Sequence, residues 1–218
     1  MKKYIAECIG AFALVFAGTG AIIINSESHG ALGHLGIALS FGLAIMTMIY
    51  ALGHISGAHF NPAVTIAFTA IGKFPVKEVL PYLLSQCTGA FIASGLLKFL
   101  FPEDEMLGTT IPAGSDMQSF ILEIILTFFL MLVIINVAKG SKEIGLFAGI
   151  AIGGTILLDA VFAGPISGAS MNPARSLAPA VISGNLEHLW VYLLAPVIGA
   201  LLAVFTWRFI SPKYEDNE

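Results

Sequence analysis

A fifteen-residue segment occurs twice in this chain. Gly53-HISGAHFNPAVTI-Ala67 and Gly164-PISGASMNPARSL-Ala178 share nine positions, among them the core Ser-Gly-Ala-x-x-Asn-Pro-Ala. After each Asn-Pro-Ala comes a short apolar piece, about 61–70 and 172–183. Neither reaches the roughly 20 apolar residues that crossing a bilayer requires. Six other stretches do, near 4–24, 34–53, 78–101, 118–138, 145–163 and 188–210. Only 11% of the 218 residues are charged and 57% are hydrophobic, against about 25% charged in a soluble domain. The surface cannot be covered in water, so the chain reads as an all-α integral membrane protein. A soluble enzyme, a secreted disulfide scaffold and a nucleic-acid binder are excluded on the same ground. The net charge of −4 supplies no polybasic attraction to nucleic acid or lipid headgroups.

The polar stretch 102–117 divides the chain into halves, about 4–101 and 118–210, within one domain spanning 1–218. Glu7 in the first span matches Glu123 in the fourth. Three spans per copy is an odd number, so the second copy inserts upside down relative to the first. Inverted repeats of this kind place their binding or conduction site near mid-membrane, between the copies. Lys2, Lys3, Lys73, Lys77, Lys139, Lys142, Arg208 and Lys213 fall on one side if every span crosses, with the acidic residues of 102–117 opposite. The positive-inside rule makes that side cytoplasmic, with both termini on it and 102–117 outside. The N-terminal apolar run exceeds a signal h-region and reads as a retained span. Cys8 and Cys87 read as free thiols in apolar surroundings, and no cluster of metal ligands stands out.

Asn is a strong helix N-cap and Pro is favoured in the first helical turn. Asn61-Pro62-Ala63 and Asn172-Pro173-Ala174 therefore each start a helix too short to span, which dips in and returns. Inversion brings the two N-termini together, each with about half a positive charge. Two such ends, with Asn amides pointing into the gap between them as donors, oppose cations and interrupt a proton-conducting water chain. Arg175, next after the second motif, is costly in a membrane and by default functional.

These paired motifs closely resemble those of the aquaporin family, the major intrinsic proteins, and the resemblance runs from about Ala6-Glu7 to Arg208. It implies six transmembrane helices in a right-handed bundle plus two re-entrant half-helices, one pore per subunit and a homotetramer in the cell (inner) membrane. It implies a passive channel for water and small uncharged solutes, with no enzymatic activity and no cofactor. The family's selectivity constriction falls on Phe41, Ala160, Ala169 and Arg175. Water-specific members usually carry histidine where this chain has Ala160, so a wider opening is implied, with Phe41 as one wall and the arginine opposite. The nodulin-like branch and its bacterial relatives match best, a group associated with water, glycerol and undissociated metalloid acids such as arsenous, boric or silicic acid. Ser176, Ala180 and Tyr192-Leu193 bear on the choice of branch: the first two stand as in water channels, which tend to end the aromatic pair in Trp.

The resemblance also puts His59 on the cytoplasmic half of the pore and has Glu7 and Glu123 accept hydrogen bonds from the re-entrant loops. His54 reads as a loop residue. His29, His34 and His188 read as solvent-facing span ends, and Asp159 as facing extracellular water. Gly145, Gly149 and Gly153 form a small-residue stripe suited to close helix packing. A strictly water-selective channel and a secondary transporter are the competing readings. An embedded hydrolase lacks its motifs, with no His-Glu-x-x-His and no Gly-x-Ser-x-Gly.

Overall fold

A long apolar run with few breakers satisfies its backbone in lipid only as a helix, and eight helices are described. In the computed structural model, which describes residues 1–139 and 145–211, they are α1 (Lys2–Glu27), α2 (Gly33–Ser56), α3 (Pro62–Ala70), α4 (Val76–Leu100), α5 (Asp116–Lys139), α6 (Ala148–Ser167), α7 (Pro173–Ser183) and α8 (Leu189–Ile210). Six of them, all but α3 and α7, are long and apolar enough to cross a membrane. Lys142, Lys213 and the side chain of Lys139, which carry part of the orientation argument, lie outside the described residues, as does the tail 214–218.

The helix ends differ from the predicted spans by a few residues, most of all in α6, which begins at Ala148 rather than 145 and continues to Ser167 where 163 was expected. Its last turn contains Pro165, which cannot donate to Val161 O one turn back. His34 on α2 supplies the missing donor, its Nε2 standing 2.9 Å from Val161 O. His34 is thus an inter-helix partner rather than merely a solvated end. What stops α2 and α6 is glycine. Gly57 (φ 85°) and Gly168 (φ 82°) take left-handed caps that return their N–H groups to Gly53 O and Gly164 O, a conformation that costs other residues more.

The copies pack by reciprocal contacts. A Cβ on Gly42 of α2 would lie 2.7 Å from Gly153 O of α6, and one on Gly153 would lie 2.6 Å from Gly42 O. The two backbones meet there because neither carries a side chain. Gly89 lets α4 touch Cys8 O of α1, and Gly199 lets α8 touch Ile124 O of α5, each too close for any Cβ. Gly149 faces the Tyr50 ring, whereas Gly145 meets nothing within 4 Å. The expected stripe therefore packs at Gly149 and Gly153, and Gly145 lies open before α6 begins. Outside, large apolar side chains such as Leu35, Leu84 and Phe99 are exposed, the surface a lipid solvent or a neighbouring subunit demands. Cys8 and Cys87 are free and half-buried.

Candidate functional site

Between each glycine cap and its short helix lies an awkward stretch of backbone. Ala58, Phe60, Ala169 and Met171 all have positive φ, between 43° and 53°. Non-glycine residues hold such angles at a cost of about 1–3 kcal/mol each, and only where surroundings over-determine them. Here the surroundings are two buried carboxylates. Glu7 accepts His59 N–H at 3.0 Å on Oε1 and Phe60 N–H at 2.7 Å on Oε2. Glu123 accepts Ser170 N–H and Met171 N–H, each at 2.8 Å. Ser56 Oγ and Ser167 Oγ accept the N–H groups of Ala58 and Ala169. With the amides turned toward the glutamates, the carbonyls of Gly57, Ala58 and His59, and of Gly168, Ala169 and Ser170, have no donor among the described residues. They form two short ladders of open acceptors.

Both asparagines cap as their sequence position suggests. Asn61 Oδ1 accepts Ala63 N–H at 2.9 Å, and Asn172 Oδ1 accepts Ala174 N–H at 3.0 Å and Arg175 N–H at 3.4 Å. Their amide groups, expected to point into the gap, are partly committed elsewhere. Asn61 Nδ2 donates to Met171 O at 2.7 Å, and Asn172 Nδ2 donates to Phe60 O at 2.9 Å. Each asparagine thus ties its helix start to the opposite loop. An amide nitrogen has two hydrogens, so each retains one for the passage.

A cavity of about 420 Å³ runs past both asparagines. Its polar wall is made by the loops 57–61 and 169–172 with Arg175, and its apolar wall by Ile45, Ile49, Ile134, Ile152 and Ile156. His59 lines it, and so does His54, which belongs to the last turn of α2 rather than to a loop. Phe41, Ala169 and Arg175 bound its inner end. Ala160 is buried one turn beyond Ile156 and is not on the cavity wall. The arginine does not stand across an open gap from Phe41. Its Cζ lies 5.0 Å from the Phe41 ring centroid, a cation–π contact that keeps both groups on neighbouring walls. Arg175 Nη1 donates to Gly108 O at 2.8 Å, while Nε has no partner among the described residues. Phe41 itself rests against Gly18, where any Cβ would collide with the ring, and Phe60 likewise rests against Gly10.

Two other expectations change. Asp159 does not face water: it is 7% exposed, and its Oδ2 is buried without a partner among the described residues. His188 is not simply solvated, because its Nδ1 lies 2.7 Å from Asp116 Oδ1, tying α8 to the start of α5. Sequence reasoning also passed over several residues. Gln86 donates to Glu7 Oε2 at 2.8 Å and to Thr65 Oγ1 at 3.0 Å. Ser167 Oγ donates to Glu123 Oε1 at 2.7 Å. Gly108 supplies the carbonyl that holds Arg175. A signal existed for Gln86, a fully buried amide inside an apolar span, since such groups are rarely idle in a membrane. None existed for Gly108, whose role is only its backbone.

Comparison with known proteins agrees with this geometry. The Major intrinsic protein family model matches residues 1–207. The chain is 49% identical over 211 residues to "Aquaporin NIP1-1" of Zea mays, covering 96% of this chain and 75% of that protein. It is 45% identical over 219 residues to "Nodulin-26" of Glycine max, covering 100% of this chain and 80% of that one. Among solved structures, the aquaglyceroporin from Plasmodium falciparum superposes with a TM-score of 0.87 at 28% identity, covering 96% of each chain. The chain belongs to the major intrinsic protein family, and its relatives lie in the nodulin-like branch.

Proposed function

We propose that this chain is a passive transmembrane channel for water and small uncharged solutes that excludes ions and protons. The observation that carries the reading is the paired helix start: two N-termini tied together by Asn61 and Asn172 beside a cavity with one polar and one apolar wall. Open carbonyls accept the hydrogens of a passing hydroxyl, and the asparagine and arginine N–H groups donate to its oxygen. The isoleucine wall receives CH groups. A small polyhydroxy molecule such as glycerol, or an undissociated metalloid acid, presents both surfaces. The positive helix ends and Arg175 repel cations.

Phe41, Ala160, Ala169 and Arg175 form the constriction in this reading, with Ala160 and Ala169 leaving it wide. The chain assembles as a homotetramer, with both termini cytoplasmic and 102–117 outside. A strictly water-selective channel is the second reading, favoured by the Arg175–Phe41 contact, which draws a bulky pair together at the narrow end. A secondary transporter would need flux that saturates and follows an ion gradient. Solute uptake into reconstituted vesicles, measured with and without imposed Na⁺ and proton gradients, separates the classes. Uptake linear in solute concentration and indifferent to either gradient is expected; saturating, gradient-driven uptake would overturn the channel.

A further inference from the structure

His59 sits in a cage. Its ring stacks on Phe68 at 5.2 Å and lies 4.9 Å and 5.4 Å from Phe74 and Tyr82. Its Nδ1 is 3.0 Å from Thr65 Oγ1. Which atom carries the proton decides what this ring offers to the cavity it lines, and the surrounding hydrogen bonds answer that by elimination.

Glu7 sets the orientation of the Gln86 amide. Its two oxygens receive the N–H groups of His59 and Phe60, so the atom of Gln86 that meets Oε2 at 2.8 Å is the donor nitrogen and not the amide oxygen. The second hydrogen of that nitrogen then goes to Thr65 Oγ1 at 3.0 Å. A hydroxyl has one hydrogen and two lone pairs. The Thr65 hydroxyl reaches Asn61 O, 3.1 Å away, for its hydrogen, and one of its lone pairs accepts from Gln86. With the hydrogen on Asn61 O, what meets His59 is a lone pair, which makes Nδ1 the donor. A neutral imidazole protonated on Nδ1 has a bare lone pair on Nε2. Nε2 has no protein partner among the described residues, and a Cβ built on exposed Gly57 would lie 3.7 Å from it.

We propose that Gln86, acting through Thr65, is a positioning residue that fixes the tautomer of His59, so that Nε2 faces the passage as a hydrogen-bond acceptor that cannot donate. The proposal rests on the reading of the cavity as the conduction path and refines it. A water or hydroxyl passing His59 presents a hydrogen to it, in line with the open carbonyls of Gly57 and Ala58. The first loop thus offers a run of acceptors, Nε2 of His59 beside the open carbonyls of Gly57, Ala58 and His59, down to the asparagine pair. Neither Gln86 nor His59 recurs in the second copy, where Pro196 and Ser170 take the corresponding places.

The test reads the ring and not the flux. Nitrogen-15 NMR on the full-length protein in lipid vesicles, labelled at histidine, distinguishes protonated from bare ring nitrogens, with His59→Asn identifying the signals. The wild type is expected to show Nδ1 protonated and Nε2 bare. Thr65→Val removes the acceptor of Nδ1–H, and this pattern is expected to be lost in favour of Nε2–H or a mixture. Thr65→Ser keeps the hydroxyl and is expected to restore it, which a general packing role for Thr65 would not require. Gln86→Leu frees the Thr65 lone pairs and is expected to loosen the pattern less than Thr65→Val does. A wild-type ring protonated on Nε2, or a Thr65→Val ring unchanged from the wild type, would overturn the proposal. Either result leaves the channel reading standing, because vesicle flux is measured separately.

Discussion

The two re-entrant loops have nearly the same backbone and part company at a few side chains. Both begin at a left-handed glycine cap, pass through two positive-φ residues, are held by a buried glutamate and end at an asparagine cap. Those parts match position for position. Three positions on the passage do not: His59 corresponds to Ser170, Phe60 to Met171, and Val64 stands where the second copy has Arg175. Even the glutamates are completed differently, Glu7 by Gln86 from α4 and Glu123 by Ser167 at the foot of its own loop. The lesson is that the repeat builds the fold and its breaks build selectivity. Symmetry makes the two helix ends meet; asymmetry puts an arginine on one side of them and an imidazole on the other.

The largest effects are expected where the copies agree. Glu123→Ala strands the N–H groups of Ser170 and Met171 and the Ser167 hydroxyl, at about 1–3 kcal/mol per buried donor. Glu7→Ala strands the same number of donors, so thermal unfolding in detergent should fall by a comparable amount for both. A loss confined to one glutamate would break the comparison. Next comes the sharpest difference between copies. Arg175→Val makes the second loop like the first at that position, and potassium or proton leak across vesicles is expected to rise while water flux persists. An unchanged leak would remove Arg175 from the barrier.

A finer probe widens or narrows the constriction. Ala160→His with Ala169→Thr is expected to cut glycerol flux by about tenfold, the effect of a barrier some 1.4 kcal/mol higher, with a smaller effect on water. Equal losses would mean that these two positions do not set solute size. The smallest effect belongs to Thr65→Ser, which gives the first copy the hydroxyl residue of Ser176 in the second. It is expected to change stability by less than about 1 kcal/mol and to leave water flux unaltered.

Much of this was legible before any coordinates. Helix existence followed from apolar length, the short helices from Asn-Pro, and their pairing from the repeat. Glu7 and Glu123 accept the N–H groups of 59–60 and 170–171. What escaped the sequence depends on contacts between distant segments. Nothing local says that Pro165 leaves Val161 O open for His34, or that Gly108 reaches Arg175 from the loop between halves. Charge alone suggested that Asp159 would seek water, yet packing between helices buries it. The distance between Phe41 and Arg175 was likewise unreadable, because family spacing names the residues around a constriction without saying which of them touch.

The most direct test of the central claim is stopped-flow light scattering on reconstituted vesicles, comparing shrinkage in sucrose with re-swelling in glycerol and in boric acid. Fast shrinkage followed by fast re-swelling is the predicted result, as a passage with a polar ladder, an apolar wall and an alanine-lined narrow end requires. Fast shrinkage without re-swelling in either solute would contradict it, and would mean that Phe41 and Arg175, drawn together, admit water alone.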